Sequence, residues 1–125
     1  MMKFLVVDDE QDVELLFRQR FRKEVRDGLM ELVFAFSGDE ALNYLQSVTP
    51  PDVVCILSDI NMPGMTGLEL LKAVKEKFPY LKVCMITAYG DDHNFKTAMA
   101  YGAAEYFTKP LDFEKLQKEM FAVSA

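Results

Sequence analysis

The chain has 125 residues, half of them hydrophobic, which fits one domain around one core and argues against disorder. Its net charge of −6, with no basic run, argues against nucleic acid or an anionic membrane as a partner held by bulk electrostatics. The amino terminus, Met1-Met2-Lys3 and a short apolar stretch followed by acids, reads as neither a signal peptide nor a membrane span, so the cytoplasm is the expected compartment.

The first apolar run, residues 3–7, predicts a strand and ends in Asp8-Asp9-Glu10. Residues 12–26 predict a helix with Val13, Leu16, Phe17, Phe21 and Val25 on one face. A second strand is expected at 31–36, and Ser37 and Glu40, at capping-box spacing, open a helix over 37–46. The loop Thr49-Pro50-Pro51-Asp52 leads into a third strand, 53–58, which delivers Asp59 to the turn Met62-Pro63-Gly64. A helix at 67–77 follows, with Leu68, Leu71 and Val74 inward. The fourth strand, 82–87, ends in Thr87, and the helix at 93–101 stops at Gly102. The fifth strand, 105–108, runs into Lys109-Pro110, and Asp112 caps a last helix with Phe113, Leu116 and Met120 inward.

Five strands alternating with five helices read as a parallel sheet covered on both faces. Right-handed crossovers then leave only a few doubly wound arrangements. Cys55 and Cys84 sit inside apolar strands and read as small core hydrophobes, not as a disulfide. With a lone histidine, His93, and no Cys/His set, zinc is not expected. The scattered methionines read as core filler.

In a parallel sheet every strand's carboxyl end lies on one edge, and that edge is where ligands bind. It collects Asp8 and Asp9 after the first strand, Asp59 after the third, Thr87 at the end of the fourth and Lys109 after the fifth. Three carboxylates, a hydroxyl and an amine suit a hard divalent cation together with a phosphoryl group. A carboxylate can act as the nucleophile and form an aspartyl-phosphate, and Lys109 adds a positive charge. Alone, each residue has a plainer reading: a solvated helix start for Asp8-Asp9-Glu10, a loop cap for Asp59, an ordinary strand residue for Thr87, a surface lysine for Lys109.

The ordered set of motifs is more specific. Asp8-Asp9, then Asp59-x-x-Met62-Pro63-x-x-x-Gly67, Thr87-Ala88, Gly102-Ala103-x-x-Tyr106 and Lys109-Pro110 resemble the receiver domains of response regulators (CheY-like) in two-component signal transduction. The resemblance runs from Lys3 to about Phe121. It implies a (βα)5 flavodoxin-like fold with strand order 2-1-3-4-5 and one receiver domain over residues 1–125. Asp59 would accept a phosphoryl group from a phosphohistidine on a histidine kinase or histidine phosphotransfer protein. Mg²⁺, or Mn²⁺ in its place, would be held by Asp8, Asp9, Asp59 and the backbone carbonyl of Asn61. Lys109 would pair with Asp59 and then with the phosphoryl oxygens. Thr87 would turn its hydroxyl to the phosphate, Tyr106 would rotate inward behind it, and the bond before Pro110 would be cis.

The same resemblance implies a switch: the loop 88–92 and the fourth helix shift, and the face formed by the fourth helix, fifth strand and fifth helix engages an output domain, a partner protein or a second copy. The domain would be no enzyme beyond promoting its own phosphorylation and dephosphorylation. It would bind neither nucleic acid nor membrane. Asn61 and Tyr89 would tune dephosphorylation. Two departures stand out: Thr66 takes a place where an acid is frequent and is expected in an exposed turn, and the segment 22–30 is long. Two rival readings are an aspartyl phosphatase, which would need an acid where Asn61 stands, and a receiver-like interaction module that is never phosphorylated. The end of the chain soon after the fifth helix fits a complete regulator and equally a receiver cut from a longer protein.

Overall fold

The computed structural model describes residues 2–48, 52–88 and 92–124. Five strands, β1 (Met2–Val7), β2 (Met30–Ala35), β3 (Cys55–Asp59), β4 (Lys82–Thr87) and β5 (Glu105–Thr108), form one parallel sheet in the order β2-β1-β3-β4-β5. The helices are α1 (Asp12–Arg20), α2 (Arg22–Arg26), α3 (Gly38–Ser47), α4 (Gly67–Lys77), α5 (Asp92–Ala100) and α6 (Phe113–Ser124). This is the expected doubly wound flavodoxin-like architecture, with one helix more.

The strands read as unbroken apolar runs because both faces are covered. Alternation along β1 makes this visible. Leu5 and Val7 join Ile56 and Met85 in a core under α3, α4 and α5, while Phe4 and Val6 join Leu57, Cys84 and Ile86 in a second core under α1 and α6. Cys55 and Cys84 are free, fully buried thiols in the second core, with sulfurs 3.7 Å apart. Their mutual contact, and then burial, pushes the Cys55 thiol far above its ordinary range, as suits a core filler and not a nucleophile.

The long first helix is corrected by the structure. The chain leaves helical geometry at Phe21 (φ −104°, ψ 18°), which divides the segment into α1 and the short α2. Phe17 and Phe21 bury their rings against Phe113, at centroid distances of 5.4 and 6.0 Å. Of the expected apolar stripe, Phe17 and Phe21 are fully buried and Val13 packs half-buried against the same core, while Leu16 (48 % exposed) and Val25 (40 %) stay outside. The helices expected as fourth and fifth are therefore α5 and α6.

Capping residues act as their spacing predicts, with two refinements. Ser37 accepts from the Glu40 N–H, while the Glu40 carboxylate accepts from the Phe36 N–H, one residue upstream of the box position. Thr66 is half-buried and caps α4, in a full capping box with Glu69, instead of lying in an exposed turn. In α4 it is Leu70, with Leu71 and Val74, that is fully buried; Leu68 is only half-buried. Asp112 caps α6 through the Glu114 and Lys115 N–H groups. Tyr89 and the Thr49-Pro50-Pro51 part of the expected loop lie outside the described residues. Among the described residues no helix is long and apolar enough to cross a membrane.

Candidate functional site

β1 and β3 lie side by side, with Val7 opposite Ser58, so the residues that follow them come out together at the carboxyl edge. Asp8 stays tied to the sheet because its N–H donates to Ala35, and its side chain folds back to accept the Glu10 N–H at 2.9 Å. Asp59 is the last residue of β3. Both carboxyls are buried, at 6 % and 5 % exposure, while Asp9 faces solvent.

The turn after Asp59 is held from below. The Ile60 N–H donates to Ile86 of β4, and the Gly67 N–H donates to the Ile60 carbonyl at 2.8 Å. Gly67 is required by proximity: a Cβ there would run into the carbonyl of Asp59 and the backbone of Ile60. The Met62-Pro63-Gly64 stretch is thereby pinched into a closed loop, with Gly64 at φ 73°. Asn61 lies in this loop with its side chain exposed.

Asp8, Asp9 and Asp59 each place a carboxylate oxygen within 4.8 Å of the other two. Lys109 reaches over from the end of β5, with Nζ 3.2 Å from Asp8 and 3.9 Å from Asp59. Its backbone is fixed by an N–H bond to the Thr87 carbonyl at 2.8 Å, and the Lys109–Pro110 bond is cis, as the motif implies. Thr87, fully buried, closes β4 on the same edge. Tyr106 lies deeper, opposite Met85 in the β4–β5 register, half-buried against the core under α4 and α5.

The electrostatics suit a nucleophile awaiting a cation. Burial, and then the negative charge of Asp8, push the Asp59 carboxyl up to about 6; Lys109 counters this only in part. Burial pulls the Lys109 ammonium down, but Asp8 and Asp59 outweigh it and leave the group raised and charged. The trio fits a small hard cation. Mg²⁺ takes one or two carboxylates with other oxygens around it, and these oxygens stand close enough to share one ion. An ion there would also offset the charge repulsion that raises Asp59.

The sequence reasoning missed two features. Lys109 has Asp8, not Asp59, as its nearer partner. Phe95 of α5 stands edge-on to Tyr106, with centroids 5.3 Å apart, and no motif flags it. Its position one helical turn before Met99, on a helix with few buried residues, was the only available signal.

Comparison with known proteins bears on this site. A family model described as "Response regulator receiver domain" matches residues 4–121. The transcriptional regulator NtrC of Escherichia coli is 40% identical over 110 residues, covering 88% of the chain but 22% of that regulator. Sporulation initiation phosphotransferase F of Bacillus subtilis is 30% identical over 115 residues, covering 92% of the chain and 87% of that protein. Among solved structures, the response regulator TrrA of Thermotoga maritima in complex with Mg²⁺-BeF is 29% identical, with a TM-score of 0.83 over 98% of this chain and 99% of that one.

Proposed function

The chain belongs to the response-regulator receiver domain family, and from that premise we propose that Asp59 is its phosphoryl acceptor in a two-component signalling pathway and that residues 1–125 form one receiver domain. The observation that carries this reading is the clustering of Asp8, Asp9 and Asp59 within 4.8 Å, with the Lys109 ammonium 3.9 Å from Asp59. A histidine kinase or histidine phosphotransfer protein is the donor. One Asp59 oxygen attacks phosphorus, the P–N bond to the donor imidazole breaks, and the electron pair leaves with the ring.

The chain's own groups divide the work. Asp59, sheltered at 5 % exposure, supplies the nucleophile. Asp8 and Asp9, with the Asn61 carbonyl, are the remaining ligands of a divalent cation, in keeping with the Mg²⁺ of the TrrA complex. Bound Mg²⁺ supplies charge neutralisation for the phosphoryl oxygens. Lys109 moves its charge from Asp8 and Asp59 to the new group.

The transferred phosphoryl adds a charge of about −1.5 to −2 at the strand edge. Thr87 turns its hydroxyl toward it. α5 follows, and Tyr106 moves into the space beside Thr87. Phe95 and Met99, at 46 and 44 % exposure, give the α5 side of the α5–β5–α6 face an apolar character. That face engages an output domain, a partner protein or a second copy. The domain works as a cytoplasmic switch and turns over no external substrate.

The test is incubation of the Mg²⁺-loaded protein with acetyl phosphate, followed by intact mass. Wild type takes up one phosphoryl group and Asp59→Asn takes up none. An unmodified wild type, or an equal adduct on the variant, overturns the reading and favours an interaction module that is never phosphorylated.

A further inference from the structure

Basic charge collects at the far end of the molecule from Asp59. Five of the chain's fourteen lysines and arginines, Arg18, Arg20, Arg22, Lys23 and Arg26, fall within residues 18–26, and Glu24 is the one acid among them. Gln19, Phe21 and Val25 interrupt them, so no run of bases marks the segment in the sequence. In the structure they cover the end of α1 and all of α2. That short helix packs at the amino end of the edge strand β2, whereas Asp59 closes β3 at the opposite, carboxyl edge.

The acids in reach leave most of this charge unanswered. Arg18 pairs with Glu14, and Arg26 with its exposed neighbour Asp27. The Glu24 carboxylate is turned to α6, where it accepts from Gln117 at 3.4 Å. Among the described residues no carboxylate pairs with Arg20, Arg22 or Lys23. Arg20 leans over the Phe113 ring, 5.9 Å from its centroid. Arg22, Val25 and Arg26 stand at i, i+3 and i+4 and share one face of α2. Val25 is 40 % exposed, and Leu29, 56 % exposed, is folded back onto α2 by its N–H bond to the Glu24 carbonyl. Two guanidiniums thus flank exposed apolar side chains, on a chain whose net charge is −6.

We propose that α2 and Leu29 form a docking surface for an acidic segment of a partner protein. Arg22 and Arg26 pair with its carboxylates, each guanidinium offering a planar fork that matches a carboxylate. Val25 and Leu29 receive an apolar side chain set between those acids. Lys23 adds charge that speeds encounter. A membrane fits less well, because α2 has five residues and lays too little apolar surface in an interface. A nucleic acid also fits less well. The acidic remainder of the chain repels a continuous row of phosphates, and Val25 and Leu29 offer phosphates no partner. The surface is small, so the complex is transient. It requires neither Asp59 nor its phosphorylation.

The test titrates the whole protein with a synthetic glutamate-rich peptide that carries one leucine, read by backbone amide NMR. The signals of residues 22–29 move, and added salt weakens the binding. Arg22→Glu with Arg26→Glu weakens it at least about tenfold. Lys96→Glu with Lys118→Glu, an equal change of net charge on α5 and α6, leaves it within about twofold. The same spectra show that each variant is folded, and Arg22→Gln with Arg26→Gln, a milder change, lowers the affinity in the same direction. Equal weakening in the two charge-reversed variants reduces the effect to net charge and overturns the proposal. So does equal binding of a peptide with glutamine for glutamate, or an absence of shifts at residues 22–29. Tighter binding of phosphatidylglycerol vesicles, or of a single-stranded oligonucleotide, at those residues overturns it in favour of a membrane or a nucleic acid.

Discussion

The Lys109 ammonium lies 3.2 Å from the Asp8 carboxylate, nearer than the 3.9 Å that separates it from Asp59. One cation therefore serves two buried acids and leans on the one that is not the proposed nucleophile. It leaves Asp59 only partly offset, which is why burial and the charge of Asp8 still raise that carboxyl.

Lys109→Ala removes this offset. The Asp59 carboxyl rises above its value of about 6, as read by carbon-detected NMR titration. Mg²⁺ binding survives, because the three acids remain, while phosphoryl uptake drops by a factor on the order of 100, typical of losing one electrostatic stabiliser. An unmoved Asp59 titration would show that Lys109 is not the offsetting charge.

Asp59 makes stability depend on pH in a fixed direction. Its folded value, about 6, lies above the ordinary 3.8. The favourable contribution of the protonated form is complete below 3.8 and is lost as pH rises through about 6. Above that, the ionised group costs at most about 3 kcal/mol. Asp59→Asn is therefore more stable than wild type by about 1–3 kcal/mol at neutral pH, and the difference vanishes near pH 4. Saturating Mg²⁺ shrinks the neutral-pH gap. Urea unfolding across pH measures it; a gap independent of pH contradicts the account.

Gly67→Ala drives a Cβ into the Asp59 carbonyl and the Ile60 backbone. Because backbone is struck, relief requires the loop to move, at a cost of about 3 kcal/mol. The expected result is a lower Tm together with weaker Mg²⁺ binding, since the same loop carries Asn61. Gly67 is not among the glycines at positive φ, so the clash alone sets this cost.

Most of this architecture was legible in the sequence because each strand closes on a residue with chemistry. Asp8, Asp59, Thr87 and Lys109 mark four carboxyl ends, and a parallel sheet gathers such ends whatever the loops do. Boundaries were less legible. The apolar spacing from Val13 to Val25 suits one helix, and nothing local marks Phe21 as the break; that depends on Phe113, far along the chain. Leu68 and Leu70 were exchanged for a similar reason, since a run of adjacent leucines fits more than one helix face. The preference of Lys109 for Asp8 depends on side-chain reach across strands, which no spacing encodes.

Phe95→Ala tests the expected mobility of Tyr106. The edge-on contact at 5.3 Å should contribute about 0.5–1.5 kcal/mol. Its loss leaves phosphoryl uptake by Asp59 in place and broadens the Tyr106 ring signals in NMR. If Tyr106 remains as ordered as in wild type, Phe95 does not hold it.

Thr66→Ala breaks the capping box with Glu69 and costs about 1 kcal/mol in thermal or urea unfolding. The loss is one of stability, so acceptor chemistry measured well below Tm changes little.

The central claim is that Asp59 itself carries the phosphoryl group. The most direct measurement is to phosphorylate the Mg²⁺-loaded protein, reduce the acyl phosphate with borohydride and sequence the peptides by mass spectrometry. Conversion of residue 59 to homoserine, absent without the phosphodonor, is the predicted result. Conversion at Asp8 or Asp9 instead, or at no aspartate, contradicts it.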